Sequence, residues 1–477
     1  MIEFPPSSDT EFDGNIIFLD GPAGTGKSFV FNTILKRIII EDRPYAIASA
    51  TSGIASTVLY NGRTSHNTYG IPFKIYDGTE KCNMRLDGER ATRLKEATLL
   101  IWDEVPMAER NVVNVVDTFL RELMEEPEYP FGGKIVIFGG DWRQVLPVKP
   151  RAQRGTIVES ILKKSVLWNT VKVFQLTVNE RTRQRAVDTE YSDFVLSVGN
   201  GNCPTYDQYL TTNNTRDPAM IRIPDDIVFP YNSEISERDN LNLLVDYIYP
   251  HLRENVEADK NVCIITPKNT VVDRINDIAI KEKFGTEHNF YSADSSENKL
   301  YSAEFLNKIT PSGVPPHRLT LKVGAPVMLL RNIAPHRGLC NGTRMIVKEI
   351  YTKYIKCELV TGPRAGEFEN IFRITFIPDD MMIGFQMKRV QLPLRLCFAM
   401  TVNKSQGQTL SSVGIYLPEP VFGHGQLYVA LSRCGSKAST RVMVKNLKHR
   451  QGVFEYFADG QTISGVFTRN IVYKEVL

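Results

Sequence analysis

Eight residues near the start of the chain have the types and spacing of a phosphate-binding loop. Residues 21–28 read GPAGTGKS and fit the pattern G-x-x-x-x-G-K-[ST]. In this pattern backbone N–H groups cradle phosphates, the lysine reaches the β- and γ-phosphates and the final hydroxyl ligates Mg²⁺. The sequence therefore predicts that ATP and Mg²⁺ bind here, against the plainer alternative of a glycine-rich turn without a ligand. The expected nucleotide-binding residues are Gly21, Gly24, Thr25, Gly26, Lys27 and Ser28.

An apolar run that ends in two acids supplies the next part of the chemistry. The run is TLLIWDE, and its last two residues are Asp103 and Glu104. Beside a phosphate-binding loop, Asp103 is placed to join Ser28 in holding Mg²⁺. Glu104 is placed to orient and deprotonate an attacking water, which favours a hydrolase over a kinase-like enzyme. The alternative for Asp103 is an ordinary helix cap at a strand-to-helix turn.

A third apolar run, KIVIFGGDWRQVLP, ends in a polar turn that carries Gln144. This glutamine is placed to sense the γ-phosphate. Basic residues cluster around the same turn, and such a cluster can follow a nucleic-acid backbone, with a solvated basic face as the alternative. The cluster consists of Lys134, Arg143, Lys149, Arg151 and Arg154.

Two arginines are candidates to stabilise charge during hydrolysis. Arg181 follows the apolar run at 171–176, and Arg433 ends the segment LYVALSR. An arginine that meets the transition-state charge contributes roughly 10³–10⁵ in rate. If both arginines come from the far side of a cleft, hydrolysis depends on closure of that cleft, as a motor requires. Surface salt bridges are the alternative for each.

The elements that must position these residues alternate between strands and helices. Apolar runs at 16–19, 45–49, 98–102, 134–138 and 171–176 predict strands, and helical spacing is clearest over 109–124. Such alternation predicts an α/β fold with parallel sheets, which bind ligands at the carboxyl ends of their strands. Residues 199–230 are polar and turn-rich, which predicts a linker or a surface excursion. A second strand–helix unit follows, with a helix at 269–283. Period-two alternation within 341–391 predicts a small antiparallel β module, in which Phe372, Ile374 and Phe376 share the buried face of a half-buried strand.

Composition limits the possible classes of protein. The chain has 477 residues, which suggests about three domains. Lys+Arg 57 against Asp+Glu 54 gives +3, so nucleic-acid binding must come from local sites. We find no membrane-spanning run, and the acidic, Pro/Ser-rich start is not typical of a signal or transit peptide. Seven cysteines without CxxC pairs argue against zinc and a disulfide framework and favour a reducing compartment.

Eight ordered motifs, which cover nearly the whole chain, resemble the ATP-dependent DNA helicases of the PIF (petite integration frequency) family in helicase superfamily one. Four sequence segments are most similar to the helicase region of Helitron-type transposon proteins: WDEVPM, GGDWRQVLPV, LCNGTRM and VFGHGQLYVALSR. The eight motifs on which the resemblance to the PIF family rests are GPAGTGKS, ATSGIAST with GRTSHNTYGIPFK, LLIWDEVPM, PFGGKIVIFGGDWRQVLPV, QLTVNER, GAPVMLLRNIAPHRGLCNGTRM, QLPLRLCFAMTVNKSQGQTL and VFGHGQLYVALSR.

The resemblance implies two RecA-like P-loop domains with ATP between them and a small SH3-like β module inserted in the second. The first core is expected at 1–183, with a small insertion around 68–97. The second is expected at 184–340 and 393–477, with the β module at 341–392. The resemblance also implies 5′ to 3′ translocation on single-stranded DNA and unwinding of tailed or forked duplex DNA. We expect a monomer that does not bind membranes and acts in the nucleus, with mitochondria as the alternative.

The resemblance also assigns roles to individual residues. Catalysis is expected from Lys27, Glu104, Gln144, Arg181 and Arg433, with Ser28 and Asp103 on Mg²⁺ and Gly407 near the nucleotide. The positions that match DNA-facing residues of the family are Thr51, Ser52, His66, Thr401 and Lys404. Among the aromatics near these segments, Tyr69, Phe73 and Trp142, core packing is the expected role rather than base stacking.

Two features of the family are not matched, and two other functions stay open. No glutamine precedes the P-loop, so the source of adenine specificity is unassigned, and the chain can be a fragment of a longer protein. No His-hydrophobe-His pair is found, so strand nicking is not assigned. The first alternative is a P-loop ATPase that remodels a protein or acts as a switch, which does not need Lys404. The second is a DNA-binding remnant without activity, against which Lys27, Glu104 and both arginines argue.

Overall fold

The computed structural model describes ten stretches of the chain, which form two compact units. The first unit comprises residues 1–142, 146–180 and Val476, and the second comprises 143–145, 181–475 and Leu477. The described stretches are 15–40, 45–180, 189–206, 220–254, 260–296, 301–311, 313–378, 384–448, 450–458 and 461–477. Arg181 lies outside the described residues.

The first unit is built on a six-stranded parallel sheet in the order β3-β2-β4-β5-β1-β6. This confirms the five predicted strands, to which β3 adds a short edge. The strands are β1 (Ile16–Asp20), β2 (Ala46–Ala50), β3 (Arg63–Thr64), β4 (Leu99–Asp103), β5 (Ile135–Gly140) and β6 (Val171–Gln175). The helices are α1 (Lys27–Ile40), α2 (Gly53–Val58), α3 (Ser65–Tyr69), α4 (Glu89–Glu96), α5 (Arg110–Met124) and α6 (Arg154–Glu159), with short 3-10 turns at Val105–Met107, Pro130–Gly133, Leu162–Lys164 and Val166–Thr170.

The apolar composition of the inner strands explains their position. All five residues of β4 are buried, as are five of the six residues of β5, so both faces of the sheet are covered. One hydrophobic core lies between the sheet and α1, with Phe31 and Ile101 fully buried. The buried strands end together, and this edge carries the phosphate-binding loop and the acid pair.

The second unit contains a four-stranded parallel sheet in the order β19-β8-β20-β21. The predicted helix at 269–283 is confirmed as α9, which packs with α8 on this sheet. The strands of this sheet are β8 (Val262–Thr266), β19 (Ala399–Thr401), β20 (Ser412–Leu417) and β21 (Thr440–Val444). Strand β7 (Met220–Ile223) precedes them in the chain and belongs to another sheet. The helices are α7 (Thr189–Asn200), α8 (Glu237–Ile248), α9 (Asn269–Glu282), α10 (Ala303–Lys308), α11 (Val402–Ser405) and α12 (Gln426–Leu431), with 3-10 turns at Asp225–Ile227 and Pro335–Arg337.

Between β8 and β19 the chain forms the predicted antiparallel β region. One sheet has five strands in the order β15-β14-β13-β12-β18, another has three (β10-β17-β16), and β11 pairs with β9. These strands reach from residue 288 to residue 396, beyond the expected 341–392, and the SH3-like assignment stays a prediction. They are β9 (His288–Tyr291), β10 (Ala293–Ser296), β11 (Arg318–Leu321), β12 (Pro326–Leu329), β13 (Arg344–Ile350), β14 (Tyr354–Leu359), β15 (Phe368–Phe372), β16 (Ile374–Phe376), β17 (Met387–Gln391) and β18 (Leu394–Leu396).

Two details of the predicted organisation are wrong. The expected linker at 199–230 contains β7, which pairs with a hairpin of β22 (Gly452–Ala458) and β23 (Gln461–Arg469) near the end of the chain. A four-residue strand with a partner so far along the sequence leaves little periodic signal. Phe372 was expected to face inward with Ile374 and Phe376 but is 54% exposed, because β15 and β16 belong to different sheets.

In the described part of the chain, no helix combines the length and hydropathy that a membrane span needs.

Candidate nucleotide and nucleic-acid site

The phosphate-binding loop has the backbone that its glycines predict. Gly24 and Gly26 have φ values of 90° and 89°, in the left-handed region that L side chains rarely adopt. Gly21 is constrained by space instead, because a Cβ there would lie 2.5 Å from Oγ1 of Thr25. That hydroxyl donates to the carbonyl of Pro22 at 2.9 Å and closes the loop on itself. The loop is therefore shaped by backbone geometry that only these residue types allow.

Lys27 begins helix α1, and Ser28 follows it in the first turn. The Lys27 ammonium donates to the carbonyl oxygens of Gly21 and Pro22, the latter at 3.3 Å. The positive charge is thereby held over the loop, at a helix N-terminus that itself favours anions. Ser28 places its hydroxyl at the same helix end. The loop thus brings together the groups that the sequence assigned to a triphosphate.

Asp103 is buried at the end of β4, where its carboxylate accepts the backbone N–H of Glu104 at 2.8 Å. Burial raises the pKa of Asp103, while the charge of Lys27 opposes that rise. A buried carboxylate beside a lysine and a glycine-rich loop is the oxygen donor that Mg²⁺ prefers. The structure brings together Lys27 and Asp103, as the sequence predicted.

Glu104 has a left-handed backbone with φ 55° and ψ 35°, which is uncommon for a residue with a side chain. The side chain is buried, with 7% of the residue exposed. Strained conformations of this kind cost on the order of 1–3 kcal/mol and persist where the surroundings impose them. Here the left-handed residue turns the chain directly after Asp103, between β4 and the 3-10 turn at Val105–Met107.

Two glycines at the end of β5 support this site, and sequence reasoning missed them. A Cβ on Gly139 would lie 2.5 Å from the Phe31 ring and 2.8 Å from Oδ1 of Asp103. A Cβ on Gly140 would lie 2.2 Å from Pro106. The GGD sequence therefore lets β5 approach the acid pair closely. The repeated glycine at a strand end was the available signal, because glycine in a strand marks close approach of another group.

Two of the five residues in the basic cluster predicted around the third strand are engaged inside the first unit. Lys134 is buried and donates to the carbonyls of Lys95 and Ala97 at 2.9 and 2.7 Å, and burial lowers its pKa. Lys149 forms a 2.7 Å ion pair with Glu109. Arg151 and Arg154 are exposed, so a nucleic-acid path along this turn stays a prediction that rests on them rather than on Lys134 and Lys149.

The turn residues 143–145 pack with the second unit. The Arg143 guanidinium donates to the Asn200 side chain at 2.6 Å. Gln144 is buried, with 4% exposed. Its predicted role toward the γ-phosphate stays a prediction.

The DNA-facing residues predicted in the first unit are brought together by strand pairing. Strands β2 and β3 are parallel, with Ala50 opposite Thr64, so residues 51–52 lie beside residues 65–66. The Thr51 hydroxyl accepts the Trp102 indole N–H at 3.0 Å, and the Ser52 hydroxyl caps α2 by accepting from Ala55 at 3.1 Å. Each hydroxyl oxygen accepts one hydrogen bond, and each hydroxyl retains its own O–H as a donor.

His66 lies next to an unusually exposed ring. Its imidazole stacks with Phe73 at a centroid distance of 6.3 Å and an angle of 18°, and burial lowers its pKa. Phe73 is 96% exposed, so its expected role in core packing is wrong. Tyr69 and Trp142 are core residues as predicted, with 1% and 3% exposed. Phe73 lies in a bend after α3, outside any helix or strand.

The corresponding residues of the second unit lie at the end of β19. Thr401 pairs with Thr266 at the end of β8, and Lys404 follows in α11. Burial, assisted by the charge of Arg395, lowers the pKa of Lys404. Gly407 has φ 75° with open space around its Cα, so conformation rather than crowding requires glycine there.

Arg433 is fully engaged inside the second unit. Its guanidinium donates to the carbonyls of Val429, Ser405 and Gln408 at 2.8, 3.2 and 3.1 Å, and the residue is 2% exposed. These bonds tie the loop that carries Gly407 to helix α12. The contacts assign Arg433 a role in holding that loop, and its predicted role on transition-state charge stays a prediction.

Together, a parallel sheet with a glycine-rich loop at its edge and a buried acid beside the loop lysine define the first unit as a P-loop nucleotide-binding domain. A family model for PIF1-like helicases matches residues 7–209, and a model for the 2B domain of the DNA helicase Pif1 matches residues 304–350. Over these two ranges the chain is similar to PIF1-like helicases. The closer likeness to Helitron-type proteins stays a prediction.

Curated relatives agree with this similarity along most of the chain. The ATP-dependent DNA helicase Pif1 of Bdellovibrio bacteriovorus is 27% identical over 441 residues, which cover 91% of this chain and 86% of the relative. The PIF1 helicase of Xenopus laevis is 29% identical over 91% of this chain. The chain spans 60% of that relative's length and 58% of the human PIF1 helicase.

Solved structures show the same fold. A Bacteroides Pif1 in complex with ADP-AlF3 and single-stranded DNA gives a TM-score of 0.63 at 23% identity and covers 91% of this chain and 89% of its own. Pif1 helicase from Candida albicans gives 0.61 at 22% identity, with 90% and 92% covered. The parallel α/β sheets of both units therefore share the fold of these structures, which agrees with the predicted pair of RecA-like domains.

Proposed function

We propose that this chain is an ATP-dependent DNA helicase that moves 5′ to 3′ on single-stranded DNA and unwinds tailed or forked duplexes. One observation carries the proposal more than any other. The strand that ends in Asp103 and the strand that leads to Thr51 are neighbours, and the Trp102 indole joins them. A group that handles phosphate during hydrolysis and a group suited to a DNA backbone are thus attached to adjacent strand ends.

Several residues have roles in hydrolysis under this proposal. Lys27 and the loop N–H groups hold the β- and γ-phosphates, and Ser28 and Asp103 supply the oxygen ligands for Mg²⁺. When bound, Mg²⁺ neutralises charge on the phosphates. Glu104 takes the proton of the attacking water, and Arg181 and Arg433 remain the proposed partners of the transition-state charge. Gln144 and Gly407 act near the nucleotide.

The grip on DNA follows from the residue types at each unit's strand ends. Hydroxyls of Thr51, Ser52 and Thr401 and the ammonium of Lys404 contact phosphate oxygens without reading bases. His66 and Phe73 add a stacking surface, as single-strand tracks commonly do. Each opened base-pair step costs roughly 1.4 kcal/mol of stacking. Unwinding therefore requires that hydrolysis drive the strand past successive DNA contacts.

We expect the protein to act as a monomer in the nucleus, with mitochondria as the alternative.

Two measurements test the proposal. The ATPase rate is measured with and without single-stranded DNA, with Lys27→Ala as the inactive control. Strong stimulation supports the motor, whereas folded protein without stimulation favours an ATPase that remodels a protein. Partial duplexes with a 5′ or a 3′ tail are then incubated with ATP or a non-hydrolysable analogue. Unwinding of the 5′-tailed substrate with ATP alone is the expected result, and preference for the 3′ tail contradicts the polarity.

A further inference from the structure

Helix α12 begins at a glycine that touches the turn carrying Gln144. Gly425 precedes the helix and has φ 71°, in the left-handed region that favours glycine. A Cβ on Gly425 would lie 2.2 Å from the carbonyl oxygen of Arg143 and 2.7 Å from the carbonyl carbon of Gln144. Residues 143–145 and Gly425 belong to the same unit. Conformation and close approach therefore both require glycine at this position.

The start of α12 is itself fixed on several sides. The Gly425 N–H donates to the Ile471 carbonyl at 3.1 Å, and the Gly425 carbonyl accepts the Val429 N–H at 2.8 Å. The neighbouring His424 is buried, and its Nδ1 accepts the Tyr473 N–H at 2.8 Å. The turn therefore packs against a surface that has little room to retreat from an added side chain.

A second helix fixes the same turn through Arg143. The Arg143 guanidinium donates from Nε to Oδ1 of Asn200, the last residue of α7, at 2.6 Å. Helix α7 also packs closely on α12, and a Cβ on Gly199 would lie 2.7 Å from the Tyr428 ring. The side chain of Arg143 and the main chain of Gln144 are thus both set by this pair of helices.

The far end of α12 holds two further residues that the proposed function places near the nucleotide. Arg433 lies two residues beyond the helix and bonds the carbonyls of Ser405 and Gln408, on either side of Gly407. Helix α12 has six residues, so at about 1.5 Å per residue its ends are roughly 9 Å apart. Three groups assigned to one triphosphate are therefore attached to one short helix, with Gln144 at its start.

We propose that Gly425 and Asn200 position Gln144 and set the distance between its side-chain amide and the γ-phosphate. The inference rests on the proposed function, in which Gln144 acts near the nucleotide. An alanine at position 425 would have to move the Arg143 carbonyl from 2.2 Å to an ordinary contact distance, a shift on the order of 1 Å. A displacement of about that size at a group that takes part in a reaction can cost roughly 10²-fold in rate.

Nucleotide binding without DNA tests the proposal. Dissociation constants are measured for ADP and for a non-hydrolysable ATP analogue, because their ratio reports contacts to the γ-phosphate. Gly425→Ala should lower the preference for the analogue roughly 10- to 150-fold, as loss of a hydrogen bond to a charged group predicts, and leave ADP affinity unchanged. Gly366→Ala is the matched control, because Gly366 has φ 92° in the same unit but a Cβ there meets nothing within 4 Å. An equal fall in the control, or an equal loss of ADP affinity in Gly425→Ala, overturns the proposal.

A double-mutant cycle separates positioning from general damage to the fold. Gln144→Ala alone should lower the same preference, and Gly425→Ala added to it should change the preference by less than about twofold, because both act through one side chain. Additive effects overturn the proposal. If Gln144→Ala keeps the parental preference, the γ-phosphate role of Gln144 fails and the inference fails with it. A fall in Gln144→Ala without a fall in Gly425→Ala refutes the inference alone.

The Asn200 variants decide the question if Gly425→Ala does not fold. Asn200→Ala removes an acceptor of Arg143 and should lower the preference for the analogue, whereas Asn200→Asp keeps an acceptor and should retain the parental preference. Parental behaviour of Asn200→Ala, or an equal fall in both variants, overturns the proposal. Because these readouts need neither DNA nor hydrolysis, absent DNA stimulation of the ATPase would refute the motor and leave this result standing.

Discussion

The indole N–H of Trp102 donates a 3.0 Å hydrogen bond to the hydroxyl of Thr51, and the Thr51 backbone N–H donates to the Asp103 carbonyl at 3.1 Å. Two bonds thus connect the loop proposed to grip DNA with the strand that ends in the buried acid. Under the proposed function, these two bonds link DNA contact at Thr51 to the strand that ends in Asp103. This arrangement gives a structural basis for DNA-dependent hydrolysis within a single unit.

Thr51→Val should weaken the response to DNA while Thr51→Ser preserves it. Valine keeps the shape of threonine but removes the hydroxyl, which leaves the Trp102 N–H unsatisfied at a cost of about 1–3 kcal/mol. We expect a higher DNA concentration at half-maximal stimulation in the valine variant, measured by ATPase titration. Equal titration curves for both variants would show that the hydroxyl has no part in DNA coupling.

Gly139→Ala should disable hydrolysis through crowding. The added Cβ would meet the Phe31 ring and the Asp103 carboxylate, and overpacking of this kind costs roughly 1–3 kcal/mol. Gly155→Ala is the matched control, because a Cβ there meets nothing within 4 Å and alanine stabilises a helix by roughly 0.5–1 kcal/mol. We expect a lower ATPase rate and a lower Tm for the first variant only. A fully active Gly139→Ala enzyme would contradict the close approach.

Asp103→Asn should abolish hydrolysis and raise stability. Burial raises the pKa of Asp103, so the folded state holds its proton more tightly than the unfolded chain does. The carboxylate therefore contributes stability only while protonated, and this contribution is lost as pH rises through the folded pKa. Asparagine has no carboxyl group to ionise, so the variant does not lose stability in this way as pH rises. Its Tm should exceed that of the parent near neutral pH, and the difference should shrink as pH falls toward 3.8, the ordinary value.

Much of this site could be predicted from sequence because its signals are local. The loop at 21–28 and the acids after β4 each depend on neighbouring residues only, and the structure brings Lys27 and Asp103 together. The missed features depend on distant partners. Gly139 matters because of Phe31 and Asp103, Lys134 is buried against the carbonyls of Lys95 and Ala97, and the exposure of Phe372 follows from its sheet. No periodicity within one strand reveals which neighbour it will pair with.

Arg433→Lys should perturb the second unit almost as strongly as Arg433→Ala. The planar guanidinium bonds three main-chain carbonyls at once, and a single ammonium cannot reproduce that fork. Each carbonyl left without its charged donor costs about 1–3 kcal/mol. We expect a lower Tm for both variants, measured by thermal unfolding without nucleotide. If Arg433→Lys keeps the parental Tm but loses hydrolysis, the arginine acts on phosphate charge rather than on the loop.

Phe73→Ala should weaken single-strand binding, whereas Phe73→Trp should preserve it. Phe73 is 96% exposed and stacks on His66, so its outer face is open to a base. Removal of a stacking ring costs about 1–3 kcal/mol per base, which corresponds to roughly 5- to 150-fold in affinity. Fluorescence anisotropy with a labelled oligonucleotide measures the change. Val166→Ala is the control, because Val166 is 84% exposed in the same unit and lies outside the grip. Equal weakening by both alanine variants would remove Phe73 from the DNA path.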